Sequence, residues 1–406
     1  MYTLLSLFTG AGGLDLGLEA AGFRARLCVE NDETCHLTLE SNRPRWKIAE
    51  PSNIFDLTPT ELMRQAGLAP RELDLLAGGP PCQPFSKASY WHQGDSKRLK
   101  DPRAKTLDAY MRVVATLLPK VLLLENVDGI QFNKKDEGLD LLRKRLRHIN
   151  RKYHTAYTPI VFAVNAADYG IPQARKRVFL VAARDGKLFE PPALTHGPNT
   201  DRPYINAWDA IGDLDTPLWD SALALKGNWA ELLKSIPEGH NYLWHTDRGG
   251  GKPIFGFRRR YWSFLLKLAK NRPSWTISAS PGPATGPFHW KSRLLSVREL
   301  ARLQTFPDDY EIAGSRLAAQ RQIGNAVPPL LAEIIGRAIS QQLLGRGAFR
   351  RPLVFAVTPK KAAPPAERVR RPPRAYLSLI RRHKAHPGVG KGPGAQRRFK
   401  VAVLQS

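Results

Sequence analysis

Apolar positions in the first 184 residues follow two rhythms. Residues 3–8, 26–30, 72–77, 121–124, 158–164 and 177–183 are short, strongly apolar runs of strand length. Residues 14–21, 105–118 and 138–150 instead repeat their apolar positions at helical spacing. The first kind suits strands buried on both faces, and the second suits helices that cover them. Their alternation predicts an α/β fold with a mostly parallel, doubly wound sheet. Ligands of such sheets sit beyond the carboxyl ends of the strands. The segments leaving the strands are therefore where chemistry is expected.

Beyond residue 184 the rhythm lapses. Residues 185–295 are rich in Pro, Gly, Trp and basic side chains, and they predict a second, smaller, loop-rich domain. Helical spacing returns at 296–304, where Ser296 and Glu299 form a capping-box pattern, and again at 330–344. From Gly345 to Ser406 there are 16 Lys/Arg and a single acid, Glu367, interrupted by the pairs Pro364-Pro365 and Pro372-Pro373. Such a composition predicts a basic, disordered tail. One apolar island at 375–380 suits a helical turn or a docking spot.

Composition narrows the partner. Across 406 residues, 62 Lys+Arg stand against 36 Asp+Glu, a net charge of +26, of which the tail carries +15. That balance points to a polyanion, nucleic acid above all. There is no apolar run of about 18 residues to cross a membrane. The start of the chain lacks the basic-then-apolar pattern of a secretory signal. Three cysteines, Cys28, Cys35 and Cys82, are too few for a disulfide framework or a closed zinc cluster. A cytoplasmic protein with reduced thiols and no metal site is expected.

Four motifs sit at predicted strand ends and a fifth at a helix start. In Phe8-Thr9-Gly10-Ala11-Gly12-Gly13 the glycines let a ligand approach the backbone at a helix start, and Glu30 at the next strand end suits ribose hydroxyls. Residues 78–86 read GGPPCQPFS and hold Cys82 on a stiff loop, a poor place for a core residue and a suitable one for a reactive thiol. Cys28 and Cys35 read as small buried side chains instead. Glu125-Asn126-Val127 offers a carboxyl to a heterocycle's ring nitrogen and amino group. In Gln173-Ala174-Arg175-Lys176-Arg177, strand alternation aims Arg175 and Arg177 at one site. Gly324-Asn325-Ala326-Val327-Pro328-Pro329 makes a rigid helix entry. Taken singly, each also fits a plain turn, a loop acid or a solvated basic face.

Together and in this order, with RELARLQTFPDDY at 298–310, these motifs resemble the cytosine-C5 DNA methyltransferase family, its bacterial members above all. The resemblance spans roughly residues 3–344. It implies S-adenosylmethionine as cofactor and double-stranded DNA as substrate. It implies Cys82 as the nucleophile that adds to C6 of a flipped-out cytosine, Glu125 at N3 and the exocyclic amine, Arg177 at O2, and Arg175 organising the pocket. Phe8, Gly10, Gly12, Gly13, Glu30, Asn53, Ile54, Gly79, Pro81, Asn325 and Val327 would hold the cofactor. Two positions depart from the family: Asn53 stands where an acid is common, and Ser6 where Asp is common.

The same resemblance gives the DNA side. Gln83, Ser86, Lys97, Arg98, Lys100 and Arg103 belong to a loop that would close over the base. Residues 185–295 become a target-recognition domain, with Arg258, Arg259, Arg260 and the stretch 276–290 facing the duplex. Residues 1–184 would be the catalytic and cofactor-binding domain, 296–344 helices returning to it, and 345–406 a tail adding non-specific attraction. The implied protein is a monomer, either solitary or partnered in function, rather than by contact, with a restriction endonuclease. Methylation of tRNA, known in one branch of the family, fits poorly with the long stretch between QARKR and RELARL. A nicotinamide-dependent dehydrogenase has no use for PCQPFS or ENV.

Overall fold

The computed structural model describes residues 1–80, 105–126, 137–216, 221–256, 262–282, 284–380 and 382. Its centre is a six-stranded sheet of β1 (Tyr2–Leu7), β2 (Phe23–Val29), β3 (Leu75–Gly78), β4 (Val121–Asn126), β5 (Ile160–Asn165) and β7 (Lys176–Ala183). A two-residue strand, β6 (Gln173–Ala174), precedes β7. The order across the sheet is β2-β1-β3-β4-β7-β5. The pairs β1–β2, β1–β3 and β3–β4 are parallel, while β7 lies antiparallel to both β4 and β5. The sheet is thus mostly parallel, and β1, β3 and β4 end on one edge.

Helices cover both faces, so β4 is buried at all six positions. On one face Leu62 of α3 (Pro59–Ala66), Tyr110 and Val114 of α4 (Lys105–Leu117), and Leu142 and Leu146 of α5 (Glu137–Tyr153) pack with Leu5, Leu76 and Leu122. On the other, Leu14 and Leu18 of α1 (Gly13–Ala20) meet Leu331, Ile335 and Ile339 of α10 (Pro329–Gln342) over Leu4, Leu75 and Phe179. A Cβ on Gly17 would stand 2.3 Å from the Pro329 carbonyl oxygen. Glycine there lets the late helix lie directly on the first one and carries the GNAVPP segment to the glycine-rich turn.

Two helices pack beside this unit. They are α2 (Glu33–Asn42) and α9 (Arg316–Asn325), joined where Thr38 Oγ1 donates to Gln322 Oε1 at 2.7 Å. The helix α8 (Val297–Leu303) begins with the expected Ser296–Glu299 capping box. Residues 185–295 contain α6 (Ala207–Ile211), α7 (Ala230–Leu233) and β8 (Ser274–Trp275). They build a separate small core of Leu232, Leu233, Tyr242, Leu265 and Phe288. β8 pairs in parallel with β6, which ties this region to the segment that leads into Arg175 and Arg177.

The tail divides in two. Residues 345–380 lie on the body: the Val354 and Phe355 amides donate to the buried carboxylate of Glu333 on α10, and the Lys360 amide donates to Asp209 at 2.8 Å. The apolar island forms α11 (Arg374–Leu377), with Tyr376, Leu379 and Ile380 against the small core. A few apolar and acidic anchors, each meeting a partner far away in sequence, hold a segment whose composition alone suggests disorder. Residues 383–406 lie outside the described residues. Among the described residues no helix is long and apolar enough to cross a membrane.

Candidate active site

The glycine-rich turn leaves β1 through three residues of positive φ, Phe8, Gly10 and Gly12. A Cβ on Gly10 would meet nothing within 4 Å among the described residues, whereas one on Gly13 would stand 2.4 Å from the Val327 carbonyl oxygen. The turn is therefore open on one side and packed against the GNAVPP segment on the other. Glu30, at the end of β2, closes it: Oε2 accepts from the Gly10 amide at 2.7 Å, and Oε1 from the Asn31 and Asp32 amides at 2.9 Å. Tyr310 of the FPDDY segment donates its hydroxyl to the Ala11 carbonyl at 2.8 Å. Phe8 and buried Ile54 pack into the same core cluster. Asn53 Oδ1 accepts from the Phe55 amide at 3.1 Å, Val327 is buried, and Asn325 is exposed at the end of α9.

Asp15 sits beneath this turn, in the first turn of α1, fully buried and without a basic partner among the described residues. Burial pushes its carboxyl up to about 7; the Ser6 hydroxyl opposes the rise, and the charges of Glu19 and Glu30 add to it. The folded state then keeps this proton to a higher pH than the unfolded chain does, so stability falls as pH rises from about 4 to 7. An Asp15→Asn variant is expected to exceed the wild type at about pH 8 by roughly 2–4 kcal/mol. In urea unfolding that gap should narrow toward about pH 4. A gap that does not change with pH would contradict the placement.

The second half of the site lies at the ends of β4 and β7. Glu125 and Asn126 are both buried, and Arg177 Nε stands 2.8 Å from Glu125 Oε1. Burial raises the Glu125 carboxyl above the usual range, while the charges of Arg177 and Arg175 pull the other way. Gly79 lies against this acid: a Cβ there would be 3.0 Å from Glu125 Oε2. The loop that begins at β3 and leads to Cys82 thus leaves the sheet beside the Glu125 carboxylate.

Arg175 and Arg177 both act through their charges on the Glu125 carboxylate, and each has a separate anchorage. Arg175 lies between β6 and β7. Arg175 is fully buried and donates from Nη2 to the Gly324 and Ala326 carbonyls at 2.7 and 2.9 Å, a cation on the C-terminal end of α9. Two buried glutamines extend this contact. Gln304 Nε2 donates to the Ile323 carbonyl at 2.6 Å, and Gln173 Nε2 donates to Gln304 Oε1 at 3.2 Å. Gln173 Oε1 in turn accepts from the Ile277 amide at 3.3 Å. The GNAVPP turn, the arginine strand and the 185–295 region therefore share one hydrogen-bonded knot.

Sequence reasoning passed over Asp15, Gln173, Gln304 and Tyr310 as site residues. Gln173 opens the QARKR motif and Tyr310 closes FPDDY, so position within a motif was the available signal. Pro81, Cys82, Gln83, Ser86, Lys97, Arg98, Lys100, Arg103, Arg258, Arg259 and Arg260 lie outside the described residues. Cys28 and Cys35 are buried, and burial drives both thiols up, away from reactivity. Trp290, in the stretch expected to face a duplex, is fully buried and donates to Asp215 Oδ2 at 3.0 Å. Thr276 of that stretch is held by the Ala174 carbonyl at 2.8 Å. Thr276 belongs to the join between the two regions, and Trp290 packs in the core cluster that also holds Leu16 and Cys28.

Residues 2–341 match the profile of a family described as C-5 cytosine-specific DNA methylase. The chain is 37% identical over 372 residues to the Type II methyltransferase M.SacI of Streptomyces achromogenes, covering 84% of this chain and 93% of that protein. It is 36% identical over 254 residues to the Type II methyltransferase M.AquIA of a Picosynechococcus strain, covering 59% and 98%. A prophage-encoded E. coli protein, assigned as a DNA modification methyltransferase, has a similar fold. Its TM-score is 0.59 at 23% identity, over 85% of this chain and all of that one.

Proposed function

The chain belongs to the C-5 cytosine-specific DNA methylase family, and from that premise we propose how it works. It transfers a methyl group from S-adenosylmethionine to C5 of a flipped-out cytosine in duplex DNA, through a covalent bond between Cys82 and C6. The observation that carries this reading is the buried Glu125–Arg177 pair, lying against Gly79 three residues before Cys82. One edge of the sheet then offers a nucleophile's loop, a carboxyl and a fixed cation to a single flat heterocycle.

The chemistry asks for these groups. C5 of cytosine is too weak a nucleophile to take a methyl group unaided. A thiolate adding to C6 turns C5 into an enamine-like carbon. A proton from Glu125 to N3, with the other carboxyl oxygen accepting from the exocyclic amine, stabilises the charge that the addition pushes onto the ring. Its raised proton affinity suits that task. Arg177 is placed to donate to O2 while keeping Glu125 oriented. Arg175 acts at one remove, holding the GNAVPP turn. After transfer the C5 proton leaves and the Cys82–C6 bond breaks; no side chain is assigned as the base.

The residues around the glycine turn fit the cofactor. Gly10 borders open space and the Glu30 carboxylate stands at its rim, suited to ribose hydroxyls. Phe8, Gly12, Gly13, Asn53, Ile54, Gly79, Pro81, Asn325 and Val327 complete the proposed site. When bound, S-adenosylmethionine supplies an electrophilic methyl group. The target carbon is inaccessible within a duplex, so the base is extruded at a cost of about a few kcal/mol. The loop with Gln83, Ser86, Lys97, Arg98, Lys100 and Arg103 closes over it, and Arg258, Arg259 and Arg260 contact the duplex.

Residues 185–295 act as the target-recognition domain. The relatives named as Type II methyltransferases support a restriction-modification setting. In this reading an endonuclease is the functional counterpart, and the protein acts as a cytoplasmic monomer. Bisulfite sequencing of DNA from a host expressing the protein tests the reaction and reads the target together. Protection of cytosines within one recurring sequence is expected, and conversion at every site in that host would reject the reading.

A further inference from the structure

Residues 345–406 lie beyond the stretch shared with the family, 2–341. Their single acid, Glu367, has a fixed place. Glu367 Oε1 accepts from Lys270 Nζ at 2.9 Å, and Glu238 Oε1 accepts from the same ammonium at 3.0 Å. The Pro365 carbonyl accepts from it at 3.1 Å. Glu238 Oε1 also accepts from the Glu367 amide at 2.8 Å. Lys270 is buried, so its three donors are all spent on this junction. Farther along, Tyr376 stacks on Trp229 with ring centroids 5.8 Å apart and donates its hydroxyl to the Asn228 carbonyl at 2.7 Å. Midway, the Arg370 amide donates to the Lys234 carbonyl at 3.1 Å.

Between the two anchors run Arg368, Arg370, Arg371 and Arg374, all exposed. None of the four forms an ion pair among the described residues, whereas the neighbouring acid Glu367 is committed to Lys270. Four guanidinium groups within seven residues repel one another, and a backbone held at three points keeps them from spreading apart. An anion with repeated charges relieves that repulsion.

We propose that this strap is a second DNA-contact surface, in which Arg368, Arg370, Arg371 and Arg374 bind phosphates of the duplex flanking the target. The proposal rests on the reading of residues 185–295 as the DNA-reading domain, because the strap is fastened to that domain. Guanidinium groups keep their charge at any working pH and match phosphate oxygens with paired N–H donors. Such contacts position a duplex and carry no sequence information. The strap therefore raises affinity for DNA of any sequence.

The test uses the full chain, a second form with all four arginines changed to Gln, and a third with all four changed to Lys. Affinity for a random duplex of roughly 40 base pairs is followed by anisotropy across a salt series. The Gln form is expected to lose roughly 3–4 from the slope of log affinity against log salt, about 0.9 per phosphate contact. The Lys form keeps the slope. An unchanged slope in the Gln form overturns the proposal and leaves the charge for an acidic protein partner. A Lys form that falls as far as the Gln form shows lost folding rather than lost charge, and overturns it too. Random duplex needs no methyl transfer: a wild type that fails to methylate but keeps its strap-dependent slope sinks the enzyme reading alone. Substitution is sharper than deletion here, since removing the tail from residue 350 also strips Glu333 and Lys270 of partners.

Discussion

Replacing Cys82 by Ala should lower methyl transfer to duplex DNA by roughly 10⁴-fold or more, about 5 kcal/mol of transition-state stabilisation. Without the thiolate, C5 keeps its aromatic reluctance, and Glu125 and Arg177 hold a base that does not react. The loss should fall on kcat, because neither cofactor nor DNA affinity depends on a bond formed only during reaction. Tritium transfer under single-turnover conditions, with calorimetric cofactor binding as a folding check, separates these cases. A variant within tenfold of the wild type would remove Cys82 from the mechanism. Cys28 and Cys35 are not alternatives, since both are buried and both thiols are driven up by burial.

Changing Glu125 to Gln should cost roughly 10²–10⁴-fold in kcat, with a smaller change in KM for DNA. The amide keeps the shape, and its oxygen still meets Arg177 Nε, so the buried arginine is not stranded. It also keeps a donor for N3, but it has no acidic proton to give as charge builds on the ring. A Glu125→Ala variant is a poorer probe, because it leaves Arg177 buried and unpaired and costs stability as well as rate. Equal kcat in the Gln variant and the wild type would show that Glu125 only positions the base.

Much of this arrangement was legible in the sequence, and particular residues show why. The runs that became β1 and β4 are dominated by leucine because helices cover both faces of the sheet, and this is the pattern a strand of this type carries. The Ser296–Glu299 box is local chemistry and forms as read. Helices α2 and α9 were not legible. Both are largely polar, and they are secured by contacts such as Thr38 to Gln322, 284 residues apart, which no local window contains. Helix α3 did carry a signal, a Thr58–Glu61 capping box on an amphipathic segment.

The site divides along the same line. Glu125, Arg177 and Glu30 sit at strand ends, where a sheet with one ligand edge puts its chemistry. Arg175 and Arg177 both bear on Glu125, but no local pattern shows that Arg175 also holds the Gly324 and Ala326 carbonyls. Gln304 and Gln173 act through partners in other elements, so a place within a motif marks them without showing the knot they form. Trp290 illustrates a further limit. A tryptophan in a basic, irregular stretch looks available to DNA until its indole is found buried against Asp215. The tail's composition hid its anchors, because one acid, one tyrosine and a few backbone amides hold a segment otherwise rich in bases and prolines.

The most direct test of the covalent account is trapping. Wild-type protein is incubated with S-adenosylmethionine and duplex DNA carrying 5-fluorocytosine at the target. The fluorine cannot leave as a proton does, so the Cys82–C6 bond should persist through denaturing electrophoresis. Peptide mass spectrometry should place the adduct on Cys82, and the Cys82→Ala variant should give none. A methylated product with no trapped complex, or an adduct at any other residue, would contradict the account.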